Sequence, residues 1–223
     1  MTNNLLLFLQ ENIGRKKPNH PNLSKLTIVI PSYCRQDFII RQCAHWHGSG
    51  ASVVIMDGSP KPLANTLQQA ITGLGDVTYV HSATVIVDRL KHAATLIKTP
   101  YTVLCGDDEF LLASGVCSAI ALLEQDQDLV ACIGQSLHYY LSNNGSQCNY
   151  GTGYDTYRYE VRDDNVQDRL NASVKNYNAA TCYAVTRSPV WRRSWGNLQR
   201  CSSAYVGELE HALTTYIWGN LAS

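Results

Sequence analysis

Residues 99–110, TPYTVLCGDDEF, contain an apolar run that lies between a proline and three consecutive carboxylates. The run at 101–105 has the length and composition of a buried β-strand, and Pro100 ends the segment before it. Four more apolar runs have the same form, and segments with apolar residues at helical spacing separate them. The predicted strands are 26–30, 52–56, 77–80, 101–105 and 129–133, and the predicted helices are 38–47, 63–71, 85–97 and 111–123. This alternation predicts βαβ units and therefore an α/β fold, a mostly parallel, Rossmann-like sheet with helices on both faces.

The second half of the chain has a different texture. Residues 139–162 are rich in Tyr, Asn and Gly and lack a clear period, which predicts loops and irregular strands. We expect 179–185 to return to the sheet and 208–218 to form a closing helix, in addition to a short helix at 1–13. Because the chain ends at 219–223 directly after a predicted helix, we expect it to be one domain of a longer protein.

The composition is that of an ordinary globular protein. Of the 223 residues, 45% are apolar and 16% are charged, and the formal net charge is zero, so no overall basic field attracts nucleic acid. The longest early apolar run, 5–9, is too short for a membrane span or a secretory signal. The eight cysteines form no CxxC pair and several lie in apolar runs, which is typical of reduced, buried thiols rather than of disulfides or a zinc site. We therefore expect a soluble, cytoplasmic protein without a transmembrane segment or a nucleic-acid partner.

Three predicted strands end in polar residues. Ser32 follows the first strand, Asp57 follows the second, and the acidic turn, defined here as residues 107–109, follows the fourth. The carboxyl ends of parallel strands meet at one edge of a sheet, where ligands of open α/β folds bind. Each segment could also be an ordinary turn, since Asp, Gly and Ser are common turn residues.

The acidic turn is the most informative of the three. Adjacent carboxylates repel one another and need a compensating cation, and hard oxygen ligands suit Mg²⁺ or Mn²⁺ that substrate phosphates also coordinate. Gly106 would allow a ligand to approach closely. The alternative is that the acids complement the dipole of the helix predicted from Leu111. The phosphate-binding patterns GxGxxG and P-loop and the hydrolase pattern GxSxG are absent, which favours a nucleotide held by a metal and side chains.

Three motifs together carry a family resemblance. IVIPSYCR at 28–35, VIMDGS at 54–59, and DRLK at 88–91 followed by TPYTVLCGDDEF at 99–110 resemble the GT-A glycosyltransferases of the family 2 type. The similarity is greatest to a bacterial subgroup with an IPTxxR…DxS…KL…TPYVxLxxDDDF pattern. The resemblance implies a single GT-A domain, with a nucleotide-sugar-binding half at about 26–135 and an acceptor-binding half at about 136–223. It also implies a metal-dependent hexosyltransferase of polysaccharide biosynthesis, using Mn²⁺ or Mg²⁺, a UDP- or dTDP-type sugar donor and a saccharide acceptor.

The resemblance assigns roles to residues at the strand ends. Asp57 would contact the base, Arg35 would line the nucleotide pocket, and Arg89 would stand where the subgroup has a Lys near the diphosphate. The full set of expected nucleotide-sugar contacts is Pro31, Ser32, Tyr33, Arg35, Asp57, Ser59, Arg89 and Asp107. The DxD-like metal motif has two possible registers, 106–108 or 107–109, and the first makes Asp108 the metal ligand and Asp107 the ribose contact. The candidate metal ligands are Asp108 first, then Glu109 and Asp107. In the first register Gly106 replaces the usual Asp, and Glu109 would compensate.

An inverting transfer needs a general base in the second half of the chain. The candidates are Glu208, Glu210 and Asp168, and Glu208 matches the family position best, although an exposed first-turn Glu that favours the helix dipole is the alternative. Tyrosines in the Asn/Gly-rich stretch would stack on the acceptor or simply pack as strand residues: Tyr139, Tyr140, Tyr150, Tyr154, Tyr157 and Tyr159. Two other functions remain open, a sugar-nucleotidyltransferase and a non-catalytic nucleotide- or saccharide-binding module.

Overall fold

The computed structural model describes residues 2–14, 20–153, 158–198 and 203–223. The strands are β1 (Leu26–Ser32), β2 (Ser52–Asp57), β3 (Val77–His81), β4 (Tyr101–Leu104), β5 (Leu129–Cys132), β6 (Leu137–Ser142), β7 (Gln147–Thr152), β8 (Glu160–Val161), β9 (Val185–Arg187) and β10 (Asn220–Ala222). The α-helices are α1 (Thr2–Ile13), α2 (Gln36–Trp46), α3 (Asn65–Thr72), α4 (Ile86–Leu96), α5 (Ala113–Gln125), α6 (Val166–Lys175), α7 (Ser188–Ser194) and α8 (Ala204–Trp218).

Eight of these strands form one sheet in the order β3-β2-β1-β4-β9-β5-β10-β8, and β6 and β7 pair as a separate antiparallel hairpin. The strands β1 to β4 run parallel to one another, and β5 runs parallel to β10. The short β9 is antiparallel to both β4 and β5, so β4 and β5 point the same way. The prediction of an α/β fold with a mostly parallel sheet is confirmed.

The core lies on both faces of the sheet, as continuous apolar strands require. Alternate residues of one strand face opposite sides. Ile28 and Ile30 of β1 pack with residues of α2, α3 and α5, whereas Val29 packs with α4 and the two tryptophans Trp191 and Trp195. The three β1 residues have no solvent exposure, and burying each side chain of this size contributes about 1.5–3 kcal/mol before the cost of ordering it.

Some expectations for the second half are wrong. Residues 179–185 do not form a strand throughout: Ala179–Tyr183 is a 3₁₀ helix, and the strand begins at Val185. The 3₁₀ helix forms because the Asn178 side chain accepts from the Ala180 N–H at its start. Helices α6 and α7 and the strand β10 were not predicted.

Two features of the described residues bear on the expected cellular setting. The seven cysteines that the structure describes are free: Cys43, Cys105, Cys132 and Cys182 are buried as expected, whereas Cys34 and Cys148 are exposed, and Cys201 lies outside the described residues. Within the described ranges no helix combines the length and the hydropathy needed to cross a bilayer.

Candidate functional site

The acidic turn lies at the carboxyl end of β4, and two of its carboxylates converge on one cation. Arg35 Nη1 donates to Asp107 Oδ1 at 3.1 Å and to Asp108 Oδ2 at 2.6 Å. The other oxygen of Asp107, Oδ2, accepts from Ser32 Oγ at 2.7 Å. The side chain of Asp107 is 7% exposed, whereas those of Asp108 and Arg35 are each 50% exposed. The charges of Asp107 and then Asp108 raise the pKa of Arg35.

The helix-dipole alternative does not account for this cluster. The following helix, α5, begins at Ala113 and has no acidic residue in its first turn. The acids therefore lie outside the range over which a helix N-terminus stabilises negative charge, because the dipole effect falls off within the first turn.

Glu109 is turned away from the pair of aspartates. Its Oε2 accepts from the backbone N–H of Gly106 at 2.9 Å, and burial raises the pKa of its carboxyl group. A Cβ on Gly106 would lie 2.9 Å from Glu109 Cδ, so the space above the glycine holds this side chain rather than the ligand that the sequence suggested. In the described structure Asp107 and Asp108 share a cation, and Glu109 does not join them.

A buried glutamine that the sequence analysis missed supports the acidic turn from beneath. Gln42 of α2 has no solvent exposure, and its amide Nε2 donates to the backbone oxygens of Asp107 at 3.0 Å and Gly106 at 3.3 Å and also to Glu109 O. Trp46 Nε1 donates to Gln42 Oε1 at 3.2 Å and orients the amide. The available signal was a polar residue at a buried position of a helix, since such a group needs partners.

Asp57 faces the interior rather than the surface. It has no solvent exposure, its Oδ1 accepts from Ser59 N at 2.9 Å, and its Oδ2 accepts from Tyr79 Oη at 2.7 Å and Gln36 Nε2 at 3.3 Å. Ser59 Oγ in turn accepts from Cys34 N at 2.9 Å. Asp57 thereby orients Gln36 and Ser59, which both line a cavity, and its predicted contact with a base stays a prediction.

Arg89 is also buried, and its guanidinium bonds the backbone at the ends of two strands, while its predicted place near a diphosphate stays a prediction. It is 5% exposed, and its Nη1 donates to Ser32 O at 2.8 Å and to Met56 O at 2.7 Å, at the ends of β1 and β2. Burial lowers its pKa, and the charge of Asp57 opposes that shift. The structure brings Arg89 to the site as a support for the backbone.

A cavity of about 490 Å³ opens beside this network, within the range of small-molecule sites. The loops after β1 and β2 and the helices α1, α2 and α3 contribute its lining. The lining residues are Thr2, Leu5, Cys34, Gln36, Asp37, Ser59, Pro60, Lys61, Ala64 and Leu67. Tyr33, predicted to contact the nucleotide, is 59% exposed in the same loop as Cys34, and Pro31 is a partly buried residue of β1. Sequence reasoning missed the contribution of α1, because nothing local in residues 2–13 indicates a ligand.

Two of the three candidate general bases, Glu208 and Glu210, lie in α8, and the third, Asp168, lies in α6. Burial, followed by the charges of Glu208 and Glu109, raises the pKa of the Cys182 thiol, so Cys182 lies within electrostatic reach of both the acidic turn and the second turn of α8. Burial also raises the pKa of Glu208. Glu210 is two residues further along α8 and therefore projects from a different face of the helix.

Among the described residues, no hydrogen bond or ion pair joins Asp168 to the acidic turn. Asp168 lies in the first turn of α6, where its N–H and carboxylate both bond the cap residue Asn165. The neighbouring Arg169 donates to Tyr216 O, near the carboxyl end of α8. Tyr216 is eight residues beyond Glu208, about 12 Å along a helix axis.

The predicted tyrosine cluster divides into exposed and structural members. Tyr139 and Tyr150 are directly opposite each other in the β6–β7 hairpin and are 64% and 84% exposed. Tyr140, from the other hairpin face, is also exposed. Tyr159 is instead hydrogen-bonded to Tyr216 at 2.9 Å between hydroxyl oxygens. Tyr154 and Tyr157 lie outside the described residues.

Comparisons with known proteins concern the fold. No protein-family model matches the sequence, and no curated protein matches it significantly. Among solved structures, S. aureus TarS 1-349 superposes with a TM-score of 0.58 at 12% identity, over 89% of this chain and 57% of that chain. The same fragment in complex with UDP gives 0.58 at 10% identity, and a longer TarS chain gives 0.59 at 11% identity over 89% of this chain and 34% of its own.

The chain therefore spans between one third and slightly more than half of the TarS chains that it resembles. The mannosyltransferase PcManGT from Pyrobaculum calidifontis, in complex with GDP-Man and Mn²⁺, also matches, with a TM-score of 0.41, 14% identity and coverage of 59% of this chain and 43% of its own. That similarity is below the level from which we draw a fold comparison. At the identity of the TarS matches the result concerns architecture alone: this chain shares the mixed α/β fold of TarS, with its mostly parallel central sheet.

Proposed function

We propose that this chain transfers a sugar from a nucleotide-diphosphate sugar to a saccharide acceptor. The observation that carries the proposal is the convergence of Asp107 and Asp108 on Arg35 at the carboxyl edge of the sheet, together with a cavity of about 490 Å³ that is lined by the residues on either side of Arg35, Cys34 and Gln36. A parallel α/β sheet binds its ligands at this edge. Because TarS shares the fold and one of its structures contains UDP, UDP is the first nucleotide to test.

The nucleotide would enter between the loops after β1 and β2. Gln36 and Ser59 are oriented by the buried Asp57 and could bond the edge of a base, and the exposed ring of Tyr33 could stack on its face. Arg89 would hold both loops by its bonds to Ser32 O and Met56 O. Loops that are already ordered before a ligand binds lower the conformational-entropy cost of binding.

The donor set at the acidic turn fits a divalent cation. Two carboxylates already converge on the guanidinium of Arg35, which acts here as a stand-in for a positive ion, and both are hard oxygen donors of the type that Mg²⁺ and Mn²⁺ prefer. The described residues hold no group of three or more His, Cys, Asp or Glu that could bind a metal, so phosphate oxygens would have to complete the coordination. When bound, the ion would neutralise negative charge on the leaving diphosphate. Asp108 and Asp107 would hold it.

Glu208 is the residue of this chain that would accept the proton of the acceptor hydroxyl in an inverting transfer. Of the three candidates, it is the one whose charge and that of Glu109 both act on Cys182, and its raised pKa suits a base that works nearer to neutral pH. The acceptor would lie toward the β6–β7 hairpin, since β5 ends at the same edge as β4 and the hairpin begins five residues later. Residues 129–153 contain no Asp, Glu, Lys or Arg, and aromatic and amide side chains without charge suit a neutral saccharide.

The test is a calorimetric titration with UDP and UDP-sugars, with and without Mn²⁺, followed by an assay of UDP release in the presence of saccharide acceptors. We expect wild-type protein to bind UDP and to release it from a UDP-sugar, and Asp108→Asn to lose turnover. The matched control is Asp164→Asn, which removes an exposed carboxylate after β8. A protein that binds no nucleotide and turns over no nucleotide sugar contradicts the proposal.

The same measurements separate the other two functions. Release of pyrophosphate from a nucleoside triphosphate and a sugar phosphate would identify a nucleotidyltransferase. A loss of affinity in Asp108→Asn without any turnover in the wild type would identify a binding module.

A further inference from the structure

One guanidinium nitrogen holds both outward carboxylates of the acidic turn. Arg35 Nη1 contacts Asp107 Oδ1 and Asp108 Oδ2, and the remaining oxygen of Asp107 is already bonded to Ser32. A cation that bridges Asp107 Oδ1 and Asp108 Oδ2 must take the position of Arg35 Nη1, because it uses the same two oxygens. Two positive groups cannot share them, because a divalent ion and a guanidinium at contact distance repel each other. Arg35 and a metal ion therefore exclude each other.

The surroundings allow Arg35 to leave and keep the aspartates in position. The Arg35 side chain is half exposed, and among the described residues its remaining side-chain contact is the ring of Phe38, whose centroid is 5.8 Å from the guanidinium carbon. The turn is held independently of Arg35, because Ser32 bonds Asp107 and the buried Gln42 bonds the backbone of the turn. Removing the arginine would thus free two positioned carboxylates.

We propose that Arg35 is an exchangeable internal counter-ion, which neutralises Asp107 and Asp108 until a diphosphate draws it away and a divalent cation takes its position. This inference rests on the proposed function. Phosphate is the group for which a guanidinium competes best, because it accepts two parallel hydrogen bonds from the planar fork. The consequence is a thermodynamic coupling: nucleotide binding removes the competitor of the metal, and each ligand strengthens the binding of the other.

The coupling predicts effects of opposite sign for one substitution. Arg35→Gln should bind Mn²⁺ alone about fivefold to tenfold more tightly than the wild type, the range expected for the loss of one or two partly exposed ion pairs that compete with the metal. The same variant should bind UDP alone more weakly, by about fivefold, because the phosphate loses a cationic partner. The factor by which UDP increases Mn²⁺ affinity should shrink accordingly.

The matched control is Arg41→Gln. Arg41 belongs to α2, which begins directly after Arg35, and it lies over the rings of Phe38 and Phe110, at 4.6 and 5.4 Å, so its removal takes one positive charge from the same neighbourhood. We expect its Mn²⁺ affinity to be within about twofold of wild type, since a charge that does not contact the carboxylates is screened by solvent and salt.

The measurement is the concentration of free Mn²⁺ by electron paramagnetic resonance, with calorimetry for UDP, on the full chain. Tighter Mn²⁺ binding by Arg35→Gln, with no such change in Arg41→Gln, supports the inference. It is overturned by equal Mn²⁺ affinity in Arg35→Gln and wild type, by an equal gain in Arg41→Gln, or by no Mn²⁺ binding in any of the proteins. The titrations without nucleotide decide the inference, and UDP binding decides the proposed function, so the failure of one is distinguishable from the failure of the other.

Discussion

Replacing Gly58 by alanine tests whether the buried Arg89 fixes the strand ends beneath the site. A Cβ at position 58 would lie 2.5 Å from Arg89 Cζ, 2.7 Å from Nε and 2.8 Å from Nη2. The guanidinium is not the loose end of a flexible side chain, because its Nη1 bonds Ser32 O and Met56 O and the residue is 5% exposed. Gly58 does not have a positive φ, so the added methyl group acts by contact and not by backbone strain.

The structure sets the size of the expected effect. Either the turn shifts, as in an overpacked core, at a cost of about 1–3 kcal/mol, or Arg89 gives up a charge-assisted hydrogen bond worth about 1.5–3 kcal/mol. We therefore expect Gly58→Ala to lower the free energy of unfolding by about 2–3 kcal/mol. For a chain of this length that corresponds to a fall in Tm of about 4–12 °C. UDP affinity should fall as well, because Gly58 N bonds Ser32 O at 2.8 Å and joins the two loops of the cavity.

Urea and thermal denaturation followed by circular dichroism measure the effect. The matched control is Gly115→Ala in α5, an exposed position where a Cβ meets nothing within 4 Å, and it should be neutral or stabilising by up to about 1 kcal/mol. A double variant with Arg89→Lys, whose smaller head group leaves room for the methyl, should show a smaller penalty for Gly58→Ala than the wild-type background does. Wild-type stability in Gly58→Ala, or the same penalty in both backgrounds, would refute the proposed role of Arg89.

Three further outcomes follow from the same structure. Glu208→Gln should reduce kcat by a factor of about 10²–10⁴ and remove the acid limb of the pH–rate profile, which should lie above the ordinary carboxyl pKa of 4.5 because burial raises the pKa of Glu208. An unchanged kcat in this variant would exclude Glu208 as the general base. Burial lowers the pKa of His211 from 6.5 to about 3, so between these two values the unfolded chain binds one more proton than the folded chain, and the free energy of unfolding should fall by up to ~1.4 kcal/mol per unit as the pH falls below 6.5. Denaturation of His211→Gln at several pH values should lack this contribution to the pH dependence. The double variant Tyr139→Ala with Tyr150→Ala should raise KM for the saccharide acceptor by about tenfold and the donor KM far less, whereas equal increases in the two constants would argue against an acceptor surface on the hairpin.

The sequence predicted the first half of the fold because its strands are nearly continuous apolar runs. Each of the five predicted strands is present, with ends that differ by at most two residues, as 26–30 against Leu26–Ser32 illustrates. Such runs are stabilised by burial on both faces, which depends on composition that is visible locally. The runs at 52–56 and 129–133 behave in the same way.

The elements that the sequence analysis missed depend on distant partners. Helix α6 is mostly polar and buries Arg169, which donates to Tyr216 O in α8. Strand β10 has three residues and forms between β5 and β8, whose positions its own sequence does not reveal. In both cases tertiary contacts, and not local propensity, determine the structure.

The same limit applies to the site. The sequence indicated which residues gather at one edge of the sheet, because strand ends can be located from the apolar runs. It did not indicate the direction in which each side chain points, since that depends on partners elsewhere in the chain. Asp57 turns inward to Tyr79, Glu109 turns back to Gly106, and Arg89 reaches the carbonyl of Met56.

These directions divide the site into two layers with different physical roles. The inner layer, Asp57, Arg89 and Gln42, is buried, and each member bonds the backbone at the end of a strand or in the turn that follows it. The outer pair, Arg35 and Asp108, is half exposed and bonded to each other. A buried polar group that loses its partner costs far more than an exposed ion pair, so changes in the inner layer should alter stability and ligand affinity together. Changes in the outer pair should alter affinity with little change in stability, because water can replace the lost partner. If Arg35→Gln lowered the free energy of unfolding as much as Gly58→Ala does, the division of the site into these two layers would be wrong.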